Sequence, residues 1–179
     1  MATGNAADLA AMIAADPECH LSPQHYDFYV CPDVIGLHGL RPPVGDGTAT
    51  GFVNTVAGIP LPPNLWLKGP RLPPAAPKMP QGTVIAYKDI YDSLNPSCHI
   101  GVVTQAPTAT SCRMQEQRAG LPMSQRLVLT FLDLDDEMYN NPNQFGTKYY
   151  VVLTHKYIMI NSATNWPGGL TYRGTARRA

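Results

Sequence analysis

Val44-Gly45-Asp46-Gly47-Thr48-Ala49-Thr50-Gly51-Phe52-Val53-Asn54-Thr55-Val56-Ala57-Gly58 is the stretch from which the fold is read. Its first half is a glycine-rich turn, with Asp46 or Thr48 available to cap a helix. Phe52, Val53 and Val56 then fall on one helical face. Gly58 stands where a glycine would end the element. A tight turn thus delivers Ala49 to the amino end of a short helix.

Working outward, residues 5–15 are Ala-rich with Leu9, Met12 and Ile13 at helical spacing, which predicts a helix stopped by Asp16-Pro17. Residues 22–43, with the aromatics Tyr26, Phe28 and Tyr29 and several prolines, read as an irregular extension with one short strand. Residues 59–80 hold eight prolines in 22 positions, which predicts a long loop with Trp66 at its middle. β-Branched and apolar runs predict strands over 83–87, 98–104, 112–117, 125–132 and 149–155, with a sixth over 156–161. An acidic, Asn-rich loop separates them at 133–144, and 168–179 reads as a fraying tail. Helices first and strands after predict an α+β fold, with short helices packed on an antiparallel sheet of five or six strands.

The length of 179 residues suits one domain. Its parts are an N-terminal helix and extension (1–43), a core (44–132), and C-terminal strands and a tail completing the same domain (133–179). Thirteen basic and thirteen acidic residues cancel, which excludes a domain-wide nucleic-acid footprint. Gly and Pro make up about 18% of the chain against a usual ~12%, so turns are abundant and long helices are not expected. No apolar run reaches the ~18 residues of a membrane span, and no secretory signal is visible. Cys19, Cys31, Cys98 and Cys112 form no C-x-x-C pair. Two disulfides or four free thiols are both compatible with the count, Cys19–Cys31 being the favoured pair. His20, His25, His38 and His155 lack ligand spacing, so neither a metal nor a cofactor is expected.

A thiol hydrolase places its nucleophile at a helix amino end, where the backbone dipoles lower the thiol pKa. A histidine on an adjacent strand takes the proton, and a further polar residue fixes the imidazole tautomer. His99 begins the strand pattern HIGVV, and Glu116 lies on the next strand, in RMQEQ. Gln115 and Gln117 would replace Glu116 if the strand register were off by one. The order is right, but the nucleophile position holds Ala49. Cys31 is a rival nucleophile with no predicted helix to activate it.

The ordered series VGDGT, GFVNTVAGIPLP, NLWLKGPRL, GTVIAY, HIGVV, RMQEQ and GLPMSQRLVL resembles the NlpC/P60 and CHAP-type papain-fold peptidoglycan amidases. It is most similar to the type VI secretion amidase effectors. The resemblance covers about residues 44–132 and implies a Cys-His-Glu triad of position 49, His99 and Glu116. Trp66, Gly51 and Thr48 are then candidates for contact with substrate. It implies peptidoglycan as substrate, a cognate immunity protein as partner, and action in a target cell's periplasm after export without a cleaved signal. Ala49 cannot attack a carbonyl, so the chain as written is either an engineered inactive form or a natural pseudoenzyme. The other readings are a non-catalytic binding module on the same scaffold and a viral or phage structural protein.

Overall fold

The structure is a computed structural model that describes residues 3–59, 65–87, 99–118, 123–129 and 149–156. Helix α1 (Ala6–Ala15) forms where its apolar spacing predicts, with the Asn5 side chain accepting from the Ala7 N–H to cap it. Helix α2 (Ala49–Val56) follows the glycine turn, and a third short helix, α3, spans Leu72–Ala75. The strands are β1 (Tyr26–Phe28), β2 (Leu67–Arg71), β3 (Val84–Tyr87), β4 (His99–Val103), β5 (Ser111–Glu116), β6 (Ser124–Leu129) and β7 (Tyr149–His155). They pair antiparallel in the order β1-β7-β3-β4-β5-β6, with β2 also on β7. The α+β class is therefore as the sequence predicts.

The sheet is covered on both faces. Val84 and Ala86 of β3, Ile100 and Val102 of β4, and Tyr150 and Val152 of β7 pack with Phe52 and Val53 of α2. The alternate residues Ile85, Tyr87, Val103, Tyr149, Val151 and Leu153 pack with Leu9, Met12 and Ile13 of α1 and Leu72 and Ala75 of α3. Alternation along a strand sends successive side chains to opposite faces. With helices on each, all of β3 and β4 is buried, and those strands are mostly apolar from end to end.

The proline-rich segment is more ordered than its composition predicts. β2 lies within it, and Pro70 falls where the β2–β7 register shifts between Lys68 and Arg71, a place that asks for no regular ladder N–H. Pro73 and Pro74 fall in the first turn of α3, whose amide protons have no intrahelical acceptor. The Asp16 carboxylate ties this segment to the end of α1. It accepts from the Arg71 N–H at 2.8 Å and the Glu18 N–H at 3.1 Å, and its other contact is the Arg71 guanidinium at 3.3 Å. Burial pushes the Asp16 pKa up, but these donors outweigh it and hold the carboxyl below its ordinary value.

One expectation is corrected, and one open alternative is decided for the described cysteines. Trp66 is fully buried, beside Tyr29 at 6.2 Å between ring centroids, and forms core rather than the wall of a cleft. A large apolar ring on a segment pinned to β7 by strand pairing gains more from burial than from solvent contact. The Cys19–Cys31 disulfide is absent, and Cys19, Cys31 and Cys112 are free thiols. The sheet separates the favoured pair, since Cys31 packs with the α2 cluster and Cys19 against the α1 cluster. Cys98, the strand expected over 156–161 beyond Lys156, the loop 133–144 and the tail 168–179 lie outside the described residues.

Burial pushes the Cys112 thiol up to about 12 from an ordinary 9.0, and raises Cys31 and the Tyr29 phenol as well. Between those limits the folded state keeps protons that the unfolded chain releases, so stability falls as pH rises. Urea midpoints measured from pH 8 to 11 are expected to drop progressively above about pH 9, and Cys112→Ala is expected to flatten part of that drop.

Candidate functional site

The glycine turn is built around the first turn of α2. Gly45 has φ +62°, and a Cβ there would lie 2.6 Å from the Gly51 carbonyl oxygen, so both its conformation and its contact require glycine. The Asp46 carboxylate accepts from the Thr48 N–H at 2.9 Å and the Thr48 hydroxyl at 2.6 Å. These bonds to Thr48 hold the Asp46 pKa below its ordinary value. The Thr48 hydroxyl in turn accepts from the Gly51 N–H at 3.0 Å, which makes Thr48 the N-cap. Past the other end, Gly58 takes φ +62° and the Ile59 N–H reaches the Asn54 carbonyl at 2.9 Å, closing the helix.

Thr48 and Gly51, expected to meet substrate, are thus occupied in forming the turn. The Thr48 hydroxyl both donates to Asp46 and accepts from Gly51. A Cβ at Gly51 would fall on the Asp46 carboxylate oxygen. Ala49 is the first residue of α2 and packs, partly buried, against the Phe52–Val102 cluster.

His99 and Glu116 do meet. His99 is the first residue of β4 and Glu116 the last of β5. Gly101, two residues along from His99, is directly opposite Glu116, so the imidazole and the carboxyl project from the same face as diagonal neighbours. His99 Nδ1 lies 3.1 Å from Glu116 Oε2, with both side chains at most 2% exposed. The Tyr87 ring, directly across from His99 in the β3–β4 register, stands 6.0 Å from the imidazole. Among the described residues His99 Nε2 has no hydrogen-bond partner. Were Glu116 ionised, its contact at Nδ1 would favour the tautomer protonated there and leave the lone pair on Nε2.

The structure places Ala49 with the other face of the sheet. Tyr87, which shares a face with His99, belongs to the α1 cluster, whereas Ala49 packs against the α2 cluster. Gln115 and Gln117 lie on the α2 side by alternation, so the register is not off by one. Gln115 Nε2 donates to the Leu37 carbonyl at 2.9 Å. Gln117 Oε1 accepts from the Val44 N–H at 2.8 Å, while its Nε2 donates to the carbonyls of Val44 at 2.9 Å and Thr48 at 3.2 Å. These long-range amide clasps are absent from any motif spacing, and the alternation next to Glu116 is the one sequence signal for them. Cys31, the rival nucleophile, is buried and its thiol pKa is pushed up by burial, the reverse of activation.

Strand pairing also stacks His25 on His155 at 6.3 Å between centroids. Among the described residues no three His, Cys, Asp or Glu side chains are grouped to hold a metal ion, and no helix is long and apolar enough to cross a membrane. No family model, curated protein or solved structure matches this chain.

Gly45→Ala is expected to lower stability by at least ~1 kcal/mol through left-handed strain, and by more through the clash with Gly51. Equilibrium urea unfolding measures the loss. Glu116→Ala strands a buried imidazole N–H and is expected to cost about 1–3 kcal/mol. Glu116→Gln, whose amide oxygen still accepts, should cost less. Equal stability of all three proteins would mean that the pair contributes nothing to the fold.

Proposed function

We propose that this chain is a non-hydrolysing form of a papain-like peptidoglycan amidopeptidase, a toxin of the kind delivered between bacteria by type VI secretion. The observation that carries the reading is the buried His99–Glu116 pair with Nε2 unpartnered, on a sheet whose other face carries a capped helix that opens at position 49. The substrate class is a peptide amide of the cell wall, either in a stem or in a cross-link. A cysteine thiolate in place of Ala49 would attack the amide carbon, and His99 would take the thiol proton and return it to the leaving amine. Water, deprotonated by the same imidazole, would then cleave the thioester. The free amide protons of the first turn of α2 would stabilise the oxyanion. The Gly51 N–H is spent on Thr48, which leaves that role to the amides of residues 49 and 50. Glu116 would hold the imidazole. A cognate immunity protein would cover the site in producing cells, and the place of action would be the target periplasm.

A second reading, a non-catalytic binding module on the same scaffold, is favoured by one observation. Ala49 packs with the α2 cluster, while His99 and Glu116 share the face of the α1 cluster. On the amidase reading Nε2 must reach position 49 from the other face of the sheet. On the binding reading no such approach is needed and alanine is the native residue.

Ala49→Cys is expected to release peptide fragments from purified peptidoglycan that the unmodified chain does not release, read by mass spectrometry. Adding His99→Ala should abolish the release, and adding Glu116→Ala should reduce it less, because the carboxylate only orients the base. A folded Ala49→Cys protein that leaves the wall intact would falsify the amidase reading and favour the binding module.

A further inference from the structure

Three hydrogen bonds converge on one buried amide at the end of β5. Gln117 is 1% exposed. Its oxygen takes the N–H of Val44, and its nitrogen supplies the carbonyls of Val44 and Thr48. Those two residues bracket the turn from which α2 starts, since the Gly47 N–H also bonds back to the Val44 carbonyl at 3.2 Å and Thr48 is the N-cap. The contact spans 69 to 73 residues of sequence and meets the turn at both ends. Its immediate neighbour in the chain is Glu116, which projects to the opposite face and holds His99. Alternation therefore gives two consecutive residues two tasks, one on each side of the sheet.

We infer that Gln117 is a positioning residue that fixes the amino end of α2, and with it the position-49 side chain, relative to the strand that carries Glu116. This rests on the amidase reading for its catalytic meaning. An amide fits the task where a carboxylate or an apolar chain does not, because the turn presents one donor and two acceptors to a single side chain. Gln115 provides the internal control. It is equally glutamine, on the same face of the same strand, 5% exposed, and it clasps Leu37 rather than the turn.

The test uses the full chain carrying Ala49→Cys. Alkylation of the position-49 thiol by iodoacetamide is followed across pH by mass spectrometry of the peptide that contains it. A thiol at a well-set helix amino end ionises below ~8.5. Gln117→Met, which keeps length but offers no hydrogen bond, is expected to move the half-point up by about one pH unit, or about tenfold less thiolate near pH 7. Gln117→Glu, which keeps the acceptor but sets a carboxylate against two carbonyls, should move it further. Gln115→Met should lower the urea midpoint yet leave the half-point in place. An unmoved half-point in folded Gln117→Met, or an equal shift in Gln115→Met, overturns the inference. Should the Gln117 variants not fold, amide exchange in the unmodified chain decides. Val44 N–H is expected to be protected, and exchange at the rate of a free peptide overturns the assignment. Wall digestion is not part of this readout. A thiol that responds to Gln117 in a protein that digests nothing would retain the positioning role and refute the amidase. Digestion with no response to Gln117 would do the reverse.

Discussion

A strand with helices on both sides has no solvent face on which to leave a polar group unpaired. That constraint governs the centre of this protein. β3 and β4 are buried throughout, as is the stretch from Met114 to Gln117 that ends β5, so each polar side chain among them must find a partner inside or pay the desolvation cost in full. His99 and Glu116 answer it with each other on one face. On the other face Gln117 answers it with the Val44 N–H and the carbonyls of Val44 and Thr48, and Gln115 in part, through the Leu37 carbonyl. The covering segments are held in place by the same bonds that satisfy the sheet. The glycine turn before α2 is therefore anchored tertiary structure, and its close approach at Gly45 and Gly51 is tolerable because nothing bulky intervenes.

The helix over 5–15, the capped helix beginning at Ala49 and the strands β3, β4, β5 and β7 were legible because periodicity and capping are local properties. Trp66 was misplaced because proline content was equated with an open loop. Prolines are also compatible with order wherever the backbone N–H has no acceptor to serve, and Pro70, Pro73 and Pro74 stand in such places. β1 and β2 are short and gain their stability from β7, paired with residues 79 to 129 positions further on, so no local pattern could reveal the extent of the sheet. The His99–Glu116 contact followed from strand order and alternation together. The clasp by Gln117 did not, because a loop's destination is set by tertiary packing that no spacing encodes.

The site that results has two halves with different chemistry. One is a buried imidazole whose Nδ1 lies 3.1 Å from a carboxylate oxygen. The other is a helix start whose cap, carboxylate and amide clasp are all in place around an alanine. Asp46 adds a tension to the second half. Its carboxylate sits by the first turn of α2, where it complements the helix dipole and aids the fold, yet an anion there opposes a thiolate at position 49. A chain selected only for stability would keep Asp46. A chain selected for a reactive thiol would keep it only if the turn geometry it secures outweighs the charge it brings.

The separation of Cys19 and Cys31 by the sheet has a consequence for folding under oxidising conditions. Oxidising surroundings cross-link thiols that can meet, and in the native arrangement these two face different cores. Their union demands that the layers part. A bond between them would serve as a covalent record that a molecule had opened, and would bar it from closing again. A chain folding under oxidising conditions would form its layers in competition with that trap. A chain already folded when it meets the oxidant would keep the two thiols apart.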